Sequence, residues 1–230
     1  MNYAIVLAGG TGTRLGGNIP KQYLEINGKA VIVYSLETFE NHSGIDKIVV
    51  VAATEWQAYI LEKIKEYNIT KFIGFADAGK SRQHSVLNAM EYLYSNITQI
   101  TKEDIVLFHD SARPNMSARL IDECLDLQGY DGTMPVISVP DTIYYSENGA
   151  QVDNILNRDK LYAGQAPEAF PLEKYYRINK TLTDEELSLV RGSSQIAFLK
   201  GLKIRLFAGE NENYKITTAM DFEKFKNSRA

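Results

Sequence analysis

Leu7-Ala8-Gly9-Gly10-Thr11-Gly12-Thr13-Arg14-Leu15-Gly16, followed by Pro20-Lys21-Gln22, is the stretch on which the reading of this chain turns. It comes directly after the apolar run Asn2 to Ala8, which predicts a strand. Where such a strand ends, its backbone amides lose their partners. Glycines let those amides turn toward an anion and let a phosphate chain lie against the backbone. Arg14 and Lys21 add charge: an arginine forks onto two phosphate oxygens, and a lysine supplies a mobile point charge. Together they suit a triphosphate whose charge shifts toward a leaving pyrophosphate. Two other phosphate loops are tested by spelling. The P-loop needs Gly-Lys-Ser/Thr after four spacers, which nothing here supplies, and the dinucleotide fingerprint G-x-G-x-x-G meets Leu15 at its third glycine. A glycine-rich turn with surface cations is the plain alternative, and what weighs against it is the next strand end.

Working outward, strand and helix patterns alternate. Ala30 to Phe39 reads as a helix. Lys47 to Ala52 is a nearly continuous apolar run, as expected of a strand covered on both faces. Glu55 to Tyr67 has helical spacing at Trp56, Tyr59, Ile60, Ile64 and Tyr67. Lys71 to Ala76 and Asp104 to His109 read as strands, and Ser81 to Tyr94 and Ser117 to Leu127 as helices. This alternation predicts an α/β fold: a Rossmann-like, mostly parallel sheet with helices on both faces and ligands at the carboxyl ends of the strands. After about Gly132 the pattern changes. Thr133 to Pro140 is a further strand. Thr142 to Tyr145 and Ala150 to Leu156 then flank Ser146-Glu147-Asn148-Gly149, a hairpin with an Asn-Gly turn signal, expected to project as an inserted β-arm at about 141–157. Pro171 to Asn179 and Asp184 to Leu199 read as helical, Leu202 to Phe207 as a strand and Ala219 to Lys226 as a closing helix. No repeat or low-complexity linker divides the 230 residues, so one domain over 1–230 is expected.

The composition narrows the function. A hydrophobic content of 44% and a charged content of 23% are ordinary for a globular protein. A net charge of −4 makes a nucleic-acid partner a poor expectation, because no positive field is present to displace counterions from a phosphate backbone. The one cysteine, Cys124, excludes an intramolecular disulfide and a cysteine zinc cluster, and is expected to be buried in its helix. The apolar runs are too short to span a bilayer, and the first strand leaves no room for a signal peptide; no membrane partner and a cytoplasmic location are the expectations.

His109-Asp110-Ser111-Ala112-Arg113-Pro114 is the second strand end with chemistry. An acid there lies over the ligand crevice, where Asp110 is a candidate to hold Mg²⁺ or a ribose hydroxyl; capping the following turn is its alternative role. His109 is expected to pack or hydrogen-bond locally and not to act as a base. Gly79-Lys80-Ser81-Arg82-Gln83-His84-Ser85 precedes a helix, so its amides and polar side chains are candidates to read a base edge or a phosphate. By itself it reads as a solvated loop with an N-cap. Asp141-Thr142, Asn157-Arg158-Asp159 and Asn213-Tyr214-Lys215-Ile216-Thr217-Thr218 are unremarkable singly.

In this order, the pieces resemble the family that contains the cytidylyltransferases for methylerythritol 4-phosphate and ribitol 5-phosphate. The likeness runs from Tyr3 to about Phe225. The glycine loop with Pro-Lys-Gln and the Asp-x-x-Arg-Pro core are its specific marks, and Asn213 to Thr218 is a looser match to Asn-Ile-Lys-Val-Thr. The resemblance implies that Leu7, Ala8, Gly9, Gly10, Thr11 and Gly12 hold CTP, with Gly79, Lys80, Arg82, Asp110 and Ser111, and that Ser85 helps recognise cytosine. It implies that Arg14 and Lys21 stabilise the pentavalent transition state and that Arg158 and Lys215 position the acceptor phosphate. Thr142 and Arg113 would also face the acceptor. Mg²⁺ is the implied cofactor, CTP and a polyol phosphate the implied partners, and a homodimer interlocked by the β-arms the implied assembly. The chemistry agrees: an acceptor phosphate is already an anionic nucleophile at neutral pH, so catalysis reduces to aligning two anions and neutralising developing charge.

Arg158-Asp159-Lys160-Leu161-Tyr162-Ala163-Gly164-Gln165-Ala166-Pro167 is similar to the ribitol-phosphate group, where Arg-x-x-x-Tyr-x-Gly-Gln-x-Pro is usual. Ala53-Thr54-Glu55-Trp56 points the same way, although plain helix packing also accounts for Trp56. The chain departs from the family in three places. Ala166-Pro167-Glu168 stands where Thr-Pro-Gln is usual, Arg191-Gly192-Ser193-Ser194 where Ser/Thr-Asp-x-Ala is usual, and Lys80 where an aspartate is frequent. The expected reaction is CMP transfer from CTP to D-ribitol 5-phosphate. Methylerythritol 4-phosphate is the alternative acceptor, a non-catalytic nucleotide-binding protein the alternative of another class, and a nicotinamide dehydrogenase is disfavoured by Leu15.

Overall fold

The computed structural model describes residues 1–10 and 19–229. Thr11, Gly12 and Arg14, three of the expected nucleotide-site residues, lie outside them. The elements run β1 (Asn2–Leu7), a small hairpin of β2 (Glu25–Ile26) and β3 (Lys29–Ala30), α1 (Val31–Glu40), β4 (Lys47–Ala52), α2 (Thr54–Glu66), β5 (Phe72–Asp77), α3 (Arg82–Asn96), β6 (Ile105–Asp110) and α4 (Ala118–Leu125). The second half adds β7 (Gly132–Ser138), β8 (Ile143–Tyr145), β9 (Asn154–Leu156), β10 (Tyr162–Gly164), β11 (Glu168–Pro171), α5 (Leu172–Lys180), α6 (Asp184–Leu189), α7 (Ser193–Leu199), β12 (Ile204–Ala208) and α8 (Ala219–Asn227).

β1 lies at the centre of the main sheet, paired in parallel with β6 on one side and β4 on the other, with β5 beyond β4. Successive residues of a strand face opposite ways, and the burial follows that rule. Ala4 and Val6 pack with Ile48 and Val50 beneath α1, α2 and α4, whereas Tyr3 and Ile5 pack with Val49 and Val51 beneath α3 and α5. Burial on both faces is why β1 and β4 read as unbroken apolar runs. Leu7 and Asp110 end β1 and β6 in register. The chain leaves β1 for β4 on one side and returns from β5 to β6 on the other, so this edge is the topological switch point at which open α/β sheets bind ligands.

Beyond β6 the sheet turns antiparallel. β11 pairs with β6, and β10 and β11 follow one another along β7, the register shifting between Gly164↔Val136 and Ala169↔Thr133. β12 runs parallel to β7 on its other side. Three expectations are corrected here. β10 and β11 were not anticipated, being three- and four-residue strands too short to show a period. The helical stretch from Asp184 to Leu199 is two helices, separated where Gly192 stands extended as the N-cap of α7. The arm pairs only Ile143–Tyr145 with Asn154–Leu156, so its connection is a broader loop than the expected Ser146 to Gly149. The Asn148 side chain stabilises that loop by accepting from the amides of Ala150 and Gln151. Cys124 is fully buried, as expected. No helix among the described residues is long and apolar enough to cross a membrane.

Candidate active site

The backbone after β1 is fixed by side chains that reach it from elsewhere. Gln22 Nε2 donates to the carbonyls of Ala8 and Gly10, both at 2.7 Å, and the Tyr23 hydroxyl donates to Ala8 O at 2.9 Å. Both residues sit in a single 3-10 turn that begins at Lys21. Trp56 stacks on Tyr23 with ring centroids 4.5 Å apart. The tryptophan is thus helix packing, as its plain reading held, but packing that braces the glycine loop. A Cβ on Gly9 would lie 2.6 Å from Ala78 Cβ, so only glycine lets the loop pass so close to the segment after β5.

That segment leads into α3. Ser81 is the N-cap and accepts from the amide of His84, while Ser85 Oγ accepts from the amide of Gly79 at 2.9 Å and donates to Ser81 O. The loop therefore has the N-cap that its bland reading called for and also faces the cleft. Lys80 is 80% exposed and pairs with Asp184 at 3.4 Å. Ser111 closes the strand end by donating both its amide and its hydroxyl to Leu7 O.

Asp110 is the hub. Its Oδ1 accepts from Arg82 Nε at 3.3 Å, its Oδ2 accepts from Lys215 Nζ at 2.8 Å, and Arg113 Nε lies 3.9 Å from Oδ2. The carboxylate is spent on these cations, not on the turn that follows. Burial alone would raise its pKa, but Arg82 and Lys215, then Arg113, outweigh burial and hold the carboxyl well below the usual carboxylate range. Lys215 is delivered by the segment before α8: Ile216 donates its amide to Ala112 O, and Ile216 and Phe225 pack with Ile26 and Val31. His109 is buried, with Nε2 3.1 Å from Arg113 O and 3.2 Å from Ser35 Oγ, and burial pushes its imidazole down to about 4. It is a neutral structural residue, as expected.

Two cavities meet at this hub. The cleft over the strand ends, about 450 Å³ and the expected nucleotide site, is lined by Leu7, Gly9, Gly10, Lys21, Gly79, Lys80, Arg82, Ser85, Asp110, Ser111 and Lys215. The structure therefore brings nearly all the described residues that were expected to hold the nucleotide to one place; Ala8 is buried beneath them. A second cavity of about 910 Å³ adjoins it and shares Arg82, Asp110 and Lys215 as its boundary. Arg113 lines it, with an apolar wall of Met134, Phe198, Leu202, Ile204 and Leu206. Thr142 and Arg158 line neither cavity. Thr142 is exposed beside the arm, and Arg158, also exposed, donates to Pro140 O at 2.9 Å. Within one chain these two expected acceptor residues stand apart from the hub.

Sequence reasoning missed Thr217 in the cleft and Glu168, Gly192 and Ser194 in the adjoining wall. Thr217 lay inside a segment already singled out. Glu168 and Gly192 were visible as departures from the family pattern, although their meeting was not. Asp110 is the carboxylate on the cleft wall, and among the described residues no group of three or more His, Cys, Asp or Glu side chains is placed to hold an ion.

The chain that carries this strand-end loop and cationic hub matches one family over almost its whole length. The model of the family described as IspD, 2-C-methyl-D-erythritol 4-phosphate cytidylyltransferase, covers residues 2–226. The chain belongs to this cytidylyltransferase family. Cytidylyltransferases of the family are CTP-dependent nucleotidyltransferases, so the dehydrogenase and non-catalytic readings give way. A relative from Streptococcus pneumoniae, named ribitol-5-phosphate cytidylyltransferase, is 35% identical over 227 residues, spanning 97% of this chain and 96% of that protein. Among solved structures, the 2-C-methyl-D-erythritol 4-phosphate cytidylyltransferase of Francisella tularensis superposes with a TM-score of 0.79 at 25% identity, covering 100% of this chain and 99% of that one. The 4-diphosphocytidyl-2C-methyl-D-erythritol synthase of Anaerococcus prevotii superposes with a TM-score of 0.81 at 23% identity, covering 99% and 95%, and supports the fold.

Proposed function

We propose that this cytidylyltransferase joins CTP to D-ribitol 5-phosphate, giving CDP-ribitol and pyrophosphate. An oxygen of the acceptor phosphate attacks the α-phosphorus of CTP, a new P–O bond forms, and the bond to the β-phosphate breaks with its electron pair leaving on pyrophosphate. No proton need be removed from the nucleophile, which suits a cleft lined by Lys21, Lys80, Arg82 and Lys215 beside a strand end whose histidine, His109, is buried and neutral. The observation that carries the reading is the shared boundary. Arg82, Asp110 and Lys215 line both cavities, so a nucleotide in one and an acceptor phosphate in the other meet across a lysine. Lys21, which also lines the cleft, would with Arg14 neutralise the charge that grows on the leaving group.

The acceptor assignment rests on the 35% identical relative and on the Tyr162-x-Gly164-Gln165-x-Pro167 spelling. Gln165 holds that segment by bonding the backbone of Glu210 from both ends of its amide, and Gly164 and Gln165 form part of the second cavity's wall. A magnesium ion carried in by the triphosphate would have Asp110 as its protein carboxylate only by exchanging a contact with Arg82 or Lys215, and the ion would supply further charge neutralisation on the phosphates.

A homodimer belongs to the same proposal. The arm exposes Tyr144, Tyr145 and Ile155, and it carries Thr142 and Arg158 away from the hub of its own chain. A second copy whose arm reaches the apolar cavity would bring both residues to the acceptor.

The test is pyrophosphate release from CTP and Mg²⁺ with ribitol 5-phosphate and methylerythritol 4-phosphate supplied separately. Release with ribitol 5-phosphate alone is expected. Faster turnover of methylerythritol 4-phosphate would overturn the acceptor assignment, and a monomeric mass at micromolar concentration would overturn the dimer.

A further inference from the structure

Glu168 is the first residue of β11 and only 5% exposed, yet it is ionisable and has no part in the chemistry above. Its Oε1 accepts from Arg82 Nη2 at 3.1 Å and from the amide of Ser193 at 3.3 Å; its Oε2 accepts from the amide of Ser194 at 2.6 Å. Those amides are the first two of α7, whose N-cap is Gly192 and has no side-chain cap of its own. An orphaned helix start usually takes its acceptor from the N-cap side chain. Here the acceptor comes from a neighbouring strand, and the same carboxylate grips the guanidinium that lines the nucleotide cleft.

The line continues on both sides. Arg82 Nη1 donates to Ser193 Oγ at 2.7 Å, its Nε donates to Asp110, and Asp110 accepts from Lys215. One uninterrupted series of polar contacts therefore joins the α7 wall of the second cavity to the lysine between the two cavities. The family pattern places an aspartate where this chain has Gly192, and a glutamine where it has Glu168. The backbone at Gly192 is extended, with φ −153°, and a Cβ there would meet nothing within 4 Å. Nothing in the backbone forbids a capping aspartate at this position.

We infer that the carboxylate has been exchanged between helix and strand, and that Glu168 is a positioning residue. It caps α7 in place of an N-cap side chain and holds Arg82 in register for CTP, tying the nucleotide cleft to the acceptor wall. The transfer readout below rests on the proposed reaction, whereas the binding readout needs CTP alone. Glu168→Gln keeps one acceptor oxygen but turns amide hydrogens toward partners that are all donors and removes the negative charge facing the guanidinium, so it weakens the hold on α7 and on Arg82. By calorimetry, E168Q should bind CTP about tenfold more weakly, the scale of one lost charge-assisted hydrogen bond. Its kcat with ribitol 5-phosphate should fall as well. Adding Gly192→Asp to E168Q returns a carboxylate to the helix start and should restore CTP affinity to within about threefold of the parent.

A purely structural role would lower the melting temperature of E168Q without moving the CTP dissociation constant of the folded protein, and that result overturns the inference. So does weakened CTP binding that G192D fails to restore. If E168Q does not fold, recovery of folded, CTP-binding protein by the added G192D supports the exchange, and failure of the pair to recover overturns it. If CTP binding behaves as described while no transfer to ribitol 5-phosphate is seen in the parent, the acceptor assignment fails and the exchange stands.

Discussion

Around the nucleotide cleft the backbone is tied down from several directions within one chain: Gln22 and Tyr23 on the Ala8 carbonyl, Ser111 on Leu7, Ser85 on Gly79. Around the adjoining cavity the opposite holds. Phe198 is 74% exposed, Leu206 stands half out of the surface, and the residues expected to touch the acceptor from the arm point elsewhere. The first region is finished by local folding. The second is an apolar surface with one charged edge, of the kind that marks an interaction site. On the proposed reaction, the nucleotide end would be preorganised within one chain and the choice of acceptor left to the more open half.

The comparison is broken most directly at the boundary. Lys215→Ala should lower kcat by about 100- to 1,000-fold, the scale of losing one preorganised charge in a phosphoryl transition state. Arg158→Ala should instead raise KM for the acceptor by about ten- to a hundredfold and leave CTP affinity unchanged. Mixing K215A with R158A protein should recover activity if one copy completes the other's site. Recovery no greater than the average of the two homodimers would place Arg158 outside the acceptor site or confine each site to one chain.

Acidity sharpens the contrast from the other side, since the cleft is built over a buried histidine. Burial pushes His109 down to about 4, while the unfolded chain takes up its proton below about 6.5. The unfolded state therefore gains protons first. Stability is full above about pH 6.5 and is lost as pH falls toward 4, by up to about 3 kcal/mol from this group. Asp110, held low by Arg82 and Lys215, adds its own loss only at and below the ordinary carboxylate range. Urea midpoints from pH 7 to 4.5 should show a flatter profile for His109→Gln; an equally steep one would remove His109 as the cause. The smallest effect is expected at the brace. Tyr23→Phe keeps the stack on Trp56 and removes only the bond to Ala8 O, so it should cost about 1 kcal/mol in CTP binding by calorimetry. An unchanged affinity would show that Gln22 alone holds the loop.

The parallel half of the fold was legible because β1, β4 and β6 are buried on both faces, and Lys47 to Ala52 can hardly be read otherwise. The antiparallel half was not, because β10 and β11 are too short to show alternation, and Gly192 breaks a stretch whose side chains suit one helix. In the site, Leu7 to Gly10 and Asp110 announce themselves as strand ends. Glu168 does not: a single acid beside a proline looks solvated until the fold sets α7 against it. The distance of Arg158 from the hub was equally hidden, since a motif names residues but not the chain on which they act.

The delivery of Lys215 by the segment from Asn213 to Asn227 has a consequence in time. During synthesis, domains tend to fold from their N-terminal side as the chain emerges. β1, β4, β5 and β6 can therefore assemble, and the glycine loop can settle on Gln22, before Lys215 has been translated. Until Phe225 docks against Ile26 and Val31, the growing chain possesses a nucleotide cleft without its boundary lysine. If Lys215 acts as proposed, a nascent or truncated chain should show the same loss of kcat as K215A, and activity should rise only when the closing helix docks.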